Sequence, residues 1–89
     1  MSDAKINDDF VLLTVLAFDD DSLGINLIHR GTKESCVKGA ELIDAISYNG
    51  TKRVVESCVR WMPYAVYQDA LAGNVGPDDG GAKGTAVIP

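Results

Sequence analysis

The sequence predicts an α+β domain: an N-terminal β-hairpin followed by two antiparallel helices, with a flexible N-terminus and a flexible Gly-rich C-terminal tail. Three observations carry this reading. FVLLTVLAF and INLIHRG are apolar runs rich in β-branched residues, separated by the turn-like cluster DDDSLG. Beyond Thr32 the apolar residues change to a helical period. After Gly73 glycine and proline displace nearly everything that could be buried.

Taken in order, residues 10–18 form the first strand. They are apolar on both faces, so one face needs helices against it and the other needs a second cover, because a lone hairpin is not stable in water. The competing assignment is a helix begun by Asn7 as N-cap, with Asp8 and Asp9 in its first turn. That would make the chain all-α with three to four helices. Thr32 is the N-cap of the next element. Cys36, Ala40, Ile43 and Ser47, flanked by Val37 and Ile46, make one stripe, and Asn49-Gly50 provides the stop. Thr51 then caps a second helix over residues 52–72, with Val54, Val55, Cys58, Trp61, Met62 and Ala65 on one side and Gly73 at its end. Pro63 kinks or breaks this helix, since an internal proline costs about 3 kcal/mol or more. The short connection makes the two helices an antiparallel pair.

The domain organisation follows: residues 1–9 flexible, 10–72 a single small domain, 73–89 a flexible tail. The tail, GNVGPDDGGAKGTAVIP, has five glycines and two prolines in seventeen residues. Ordering it costs roughly 1–2 kcal/mol of backbone entropy per residue. Only Val87 and Ile88 offer apolar burial in return, so order there requires a partner, such as a strand edge on a neighbouring copy.

Net charge is −5 and unevenly spread. Residues 1–24 hold six aspartates against one lysine, residues 25–60 six basic against four acidic side chains, and residues 61–89 three aspartates against one lysine. There is no basic stripe of the kind that neutralises phosphates, which argues against direct nucleic-acid binding. The longest apolar run is nine residues, against about 20 for a membrane helix. Two cysteines are too few for a disulfide scaffold, and MSDAKINDD does not read as a signal peptide. The expected setting is soluble, cytoplasmic and reducing, with virion association also compatible.

The residues that could carry chemistry do not assemble into a constellation. His29 is the only histidine, and nothing in the spacing brings it to Cys36, Cys58 or a serine as general base. In an antiparallel helix pair Cys36 and Cys58 are offset by about five residues, roughly 7 Å along the axis, which leaves them unbridged. One histidine and no close cysteine pair give zinc no ligand set. In DDDSLG, Asp19, Asp21 and Gly24 match positions 1, 3 and 6 of a calcium loop. Leu23 occupies position 5, however, and Arg30 stands where the bidentate glutamate belongs. No cofactor or metal is expected, and no Gly-rich phosphate loop is present.

What remains is binding. On a straight second helix Tyr64, Tyr67 and Leu71 cluster opposite Cys58 and Ala65, as an exposed aromatic patch suited to an interface. If Pro63 rotates the register, the same aromatics become core. The expectation is a non-enzymatic protein-binding or assembly component, binding another protein or further copies of itself through Tyr64, Tyr67, Leu71, Val87 and Ile88. A viral structural protein and a homo-oligomer both fit it. The alternative is a small acidic inhibitor that occupies a basic groove with Asp8, Asp9, Asp19, Asp20 and Asp21, and such binding is steeply salt-sensitive.

Overall fold

A computed structural model describes residues 9–72 and 81–88. The chain runs β1 (Phe10–Phe18), β2 (Leu23–Gly31), α1 (Lys33–Glu41), β3 (Ala45–Ser47), β4 (Val54–Pro63), α2 (Tyr64–Leu71), β5 (Gly81–Gly84) and β6 (Ala86–Ile88). The main sheet has four antiparallel strands in the order β2-β1-β4-β5, and β3 and β6 form a separate parallel pair.

The two-faced apolarity of FVLLTVLAF is resolved by its position. As an inner strand, β1 is covered on both sides. Phe10, Leu12, Leu16 and Phe18 meet Cys36 and Ala40 of α1, Ile46 of β3 and Val59 of β4 in the larger core. Val11 and Leu13 face the other way and form a smaller core with Met62, flanked by Val15, Tyr64, Val66 and Tyr67. The hairpin is therefore present, with its second strand beginning at Leu23 inside the segment read as turn, and the all-α alternative is wrong.

The first helix begins where expected: the Thr32 hydroxyl accepts a hydrogen bond from the Ser35 amide at 3.0 Å. Its buried positions are Cys36 and Ala40, and Gly39 lets the helix approach the sheet so closely that a Cβ there would lie 2.8 Å from Leu12 Cδ2. The helix is shorter than predicted. It stops at Glu41, and Ile46, assigned to its stripe, reaches the same core from β3.

The second helix is the principal correction. Most of the segment read as helix 52–72 is the ten-residue strand β4, and only Tyr64–Leu71 is helical. There is no antiparallel helix pair. The supposed apolar stripe is split by the pleat: Trp61 faces the larger core opposite Leu12, while Cys58 and Met62 lie on the other face opposite Val15 and Val11. Val55 sits at a register shift and is exposed, as is Ala65. A proline as the last residue of a strand breaks no helical hydrogen bond, so Pro63, in extended conformation, marks a strand-to-helix junction and not a kink.

The flexible tail of the predicted fold is corrected over residues 81–88. These form β5 along the outer edge of β4 and β6 beside β3. The strand edge that the tail needs is supplied by its own chain. Lys83 fixes it by donating from Nζ to the carbonyls of Ala40, Glu41 and Ile43, at 3.1, 3.2 and 2.9 Å. A cation thus meets the negative end of α1. Thr85 Oγ1 donates to the Asp44 carbonyl at 2.6 Å, Ser57 Oγ donates to the Thr85 carbonyl, and Val87 packs against the larger core. Gly81 lies against the Trp61 indole, with no room for a Cβ.

Candidate protein-docking surface

The register of β1 with β2 places Leu23 opposite Ala17, Ile25 opposite Val15 and Leu27 opposite Leu13. Directly paired residues share a face, so these β2 side chains extend the face that carries the smaller core. The α2 side chains Tyr64, Val66 and Tyr67 cover that face around Val11, Leu13 and Met62. Beyond them the apolar surface continues without cover. Leu23 is 63% exposed, Ile25 38% and Leu27 47%, and Ile28, displaced at a bulge in the pairing, is 50% exposed. Contiguous apolar exposure of this kind marks an interaction site more often than isolated surface leucines do.

The backbone makes the same strand available. β2 is an edge of the sheet, nine residues long, and its outer side pairs with no strand among the described residues. Residues 23–28, LGINLI, contain no charge and no proline, the usual guards of an edge. The opposite edge, β5, is only four residues, GAKG, with a lysine at its centre.

Charge brackets the apolar stretch. At one end is the turn of Asp19, Asp20 and Asp21. Asp20 accepts from the Ser22 hydroxyl and the Ser22 amide and pairs with Lys52 at 3.1 Å, and this holds its carboxyl down to about 2. Asp19 and Asp21 are exposed, and their carboxylates make no ion pair or hydrogen bond among the described residues. Asp21 takes a φ of 69°, a left-handed conformation that aspartate tolerates better than most residues. At the other end are Arg30 and Lys33. The Arg30 guanidinium binds Asp9 at 2.8 and 3.2 Å and lies 3.8 Å over the Tyr64 ring; the Asp9 hydrogen bond raises its already high pKa.

The residues singled out from sequence are dispersed by this arrangement. Tyr64 and Tyr67 adjoin each other, 6.1 Å between ring centroids, but both are half-buried against the smaller core. Leu71, on the same helix, is exposed. Val87 packs on the larger core and Ile88 is exposed on β6. Asp8 lies outside the described residues. Asp9 stands at the opposite end of β1 from Asp19, Asp20 and Asp21, and the strand between them alone spans about 26 Å at 3.3 Å per residue, so these carboxylates do not form one patch. The surface that sequence reading missed is β2 itself. Its signal was present in the uncharged run LGINLI, of which Leu23 and Gly24 were read as turn and the rest as the second strand of a hairpin.

Among titratable groups, His29 does meet a hydroxyl, with Nε2 3.0 Å from Ser35 Oγ. The Ser35 proton, however, goes to the Thr32 carbonyl at 2.8 Å, so the histidine is left as donor, the reverse of a general base that activates a serine. Both cysteines are free thiols, and burial pushes both upward. They are unbridged because the sheet separates them: Cys36 packs on one face and Cys58, opposite Val15, lies on the other. Among the described residues no group of three or more His, Cys, Asp or Glu is gathered as for a metal, and no helix is long and apolar enough to cross a membrane. An open groove of about 340 Å³ runs along residues 54–57 of β4, beside Thr85 and Val87. No family model, curated protein or solved structure matches this chain.

Proposed function

We propose that the chain is a non-enzymatic protein-binding or assembly component that docks through β2 and the open sheet face beside it. The observation that supports this is the coincidence, on one edge strand, of an uncharged backbone edge and four large exposed apolar side chains, Leu23, Ile25, Leu27 and Ile28. Complete burial of such a side chain is worth about 1.5–3 kcal/mol, so a partner that covers four half-exposed ones has several kcal/mol to draw on. An added strand would also satisfy the outer N–H and C=O groups of β2.

The test is a photo-crosslinking amino acid placed at position 25 and, as a control, at the exposed position 69 of α2. A discrete adduct at position 25 and none at 69 is expected, whether to another protein or to a second copy. Equal, diffuse labelling at both positions, or none at 25, refutes the reading. The acidic-inhibitor alternative has support from Asp19, Asp20 and Asp21 only, since Asp9 is remote and paired with Arg30. Its signature would be an adduct at the turn that disappears in high salt.

A further inference from the structure

The docking strand faces a choice of occupants, and its charge pattern selects among them. Along β2 the sign changes from end to end: Asp19 and Asp21 precede the strand with exposed carboxylates, Asp20 between them being paired with Lys52, while Arg30, paired with Asp9, lies at its far end and Lys33 just beyond it at the start of α1. The middle, residues 23–28, is uncharged. A strand that is acidic at one end, basic at the other and apolar between is complementary to itself when reversed. Parallel pairing of two such strands would set acid on acid.

We propose that β2 pairs antiparallel with β2 of a second copy of this chain about a two-fold axis, joining two four-stranded sheets into one. This rests on the docking reading above and names its partner. The unbulged run is residues 23–27, because the shift at Ile28 interrupts the regular ladder. With the axis at Ile25, that residue faces its own copy and Leu23 faces Leu27 of the partner subunit. Beyond this run the turn that holds Asp19 and Asp21 lies toward the end of the partner strand that carries the partner's Arg30. The three apolar side chains of each copy, Leu23, Ile25 and Leu27, fall on one side of the joined sheet and meet as a single strip. Each strip is continued inward by Val15 and Ala17 of β1, so the covered surface is contiguous with the sheet face that α2 leaves open. An isologous contact uses the same patch on both subunits and closes after two copies, so the product is a dimer and not a fibre.

Sedimentation equilibrium of the full chain at several concentrations reads this directly. The expected result is a reversible monomer–dimer equilibrium. Ile25→Lys sets two like charges across the axis and is expected to weaken dimerisation by about a hundredfold or more. Asp19→Asn with Asp21→Asn is expected to weaken it about three- to tenfold at low salt and to have no effect in 1 M NaCl, where the Debye length is only about 3 Å. Asparagine is chosen because it tolerates the left-handed conformation at position 21. Should Ile25→Lys fail to fold, wild-type protein keeps the question answerable: amides in residues 23–27 must exchange more slowly as concentration rises. A chain that stays monomeric at millimolar concentration overturns the proposal, as does a dimer indifferent to Ile25→Lys in a folded variant. A monomer that crosslinks from position 25 to a different protein overturns self-pairing while leaving the docking reading intact. A monomer with no adduct at position 25 removes both.

Discussion

Replacing Lys83 with methionine tests the largest departure of this structure from its sequence, the anchoring of the C-terminal segment. Methionine keeps an apolar stem of similar length and deletes the charge and three donors. The ammonium donates to the carbonyls of Ala40, Glu41 and Ile43, at 3.1, 3.2 and 2.9 Å, and those of Ala40 and Ile43 are partly buried. Hydrogen bonds to a charged group are worth about 1.5–3 kcal/mol net, and a cation at a helix C-terminus adds about 0.3–1 kcal/mol. The bond to the more exposed Glu41 carbonyl is replaceable by water, so the expected loss is about 3 kcal/mol and not three full bonds. A chain of 89 residues has only about 4–13 kcal/mol to lose. At about 4–8 °C per kcal/mol for a domain of this size, the melting temperature should fall by about 12–24 °C. Circular dichroism melts and urea titrations of wild type, Lys83→Met and the exposed control Lys38→Met measure it. The control should stay within about 0.5 kcal/mol of wild type. If Lys83→Met does the same, the C-terminal segment is not anchored as described, and the account of β5 and β6 fails with it.

Three further outcomes follow from the same contacts. Asp20 titrates near 2 in the fold, against an ordinary value of about 3.9, so its stabilising contribution is present above that value and is lost as pH falls from about 4 to 2. The difference in urea midpoint between wild type and Asp20→Asn should therefore shrink over that window, and a pH-independent difference would contradict the assignment. Gly81→Ala places a Cβ against the Trp61 indole and should lift β5 from the sheet. A red-shifted Trp61 emission and faster amide exchange across residues 82–88 are expected, and an unchanged spectrum with unchanged exchange would show that β5 does not lie there. Cys36 is fully buried, Cys58 only partly, and burial raises both thiols. Alkylation at pH 8 should thus label Cys58 first and reach Cys36 only on unfolding; equal rates in the folded protein would place Cys36 wrongly.

The parts of the fold that local chemistry specifies were legible. A turn cluster between β-rich runs gave the β1–β2 hairpin, and a threonine before a helical stripe gave the start of α1 at Thr32. What failed was the segment VVESCVRWMP. Its apolar residues fall at positions 54, 55, 58, 59, 61 and 62, a pattern that fits a helical face. It equally fits a strand buried on both sides, because β4 presents Val59 and Trp61 to one core and Met62 to the other. The register shift near Val55 further blurs the period of two. Only partners distant in sequence decide between the readings, and β4 has them in β1 and β5. The tail was misjudged for a related reason. Its glycines were counted as entropy lost, whereas Gly81 is what lets the backbone lie on Trp61.

The strand that closes one side of the sheet gives meaning to the side left open. An antiparallel sheet of four strands has two edges, and each is a template for another chain. On the β4 side, the chain covers residues 58–61 with its own C-terminal segment and ends the sheet in a strand only four residues long, built from Gly, Ala and Lys. On the β2 side it ends in nine residues, and the uncharged run within them carries four large apolar side chains partly in water. A domain this small buries only about 60% of its unfolded surface and has little stability to spare. Removing the exposed apolar side chains of β2 would add solubility at almost no cost to either core, since those cores are built from β1, β3, β4 and the helices. That asymmetry is why we propose β2 as the docking surface and not the aromatic pair of α2: Tyr64 and Tyr67 are already half-buried against the smaller core, whereas Leu23, Ile25, Leu27 and Ile28 are exposed and belong to neither core.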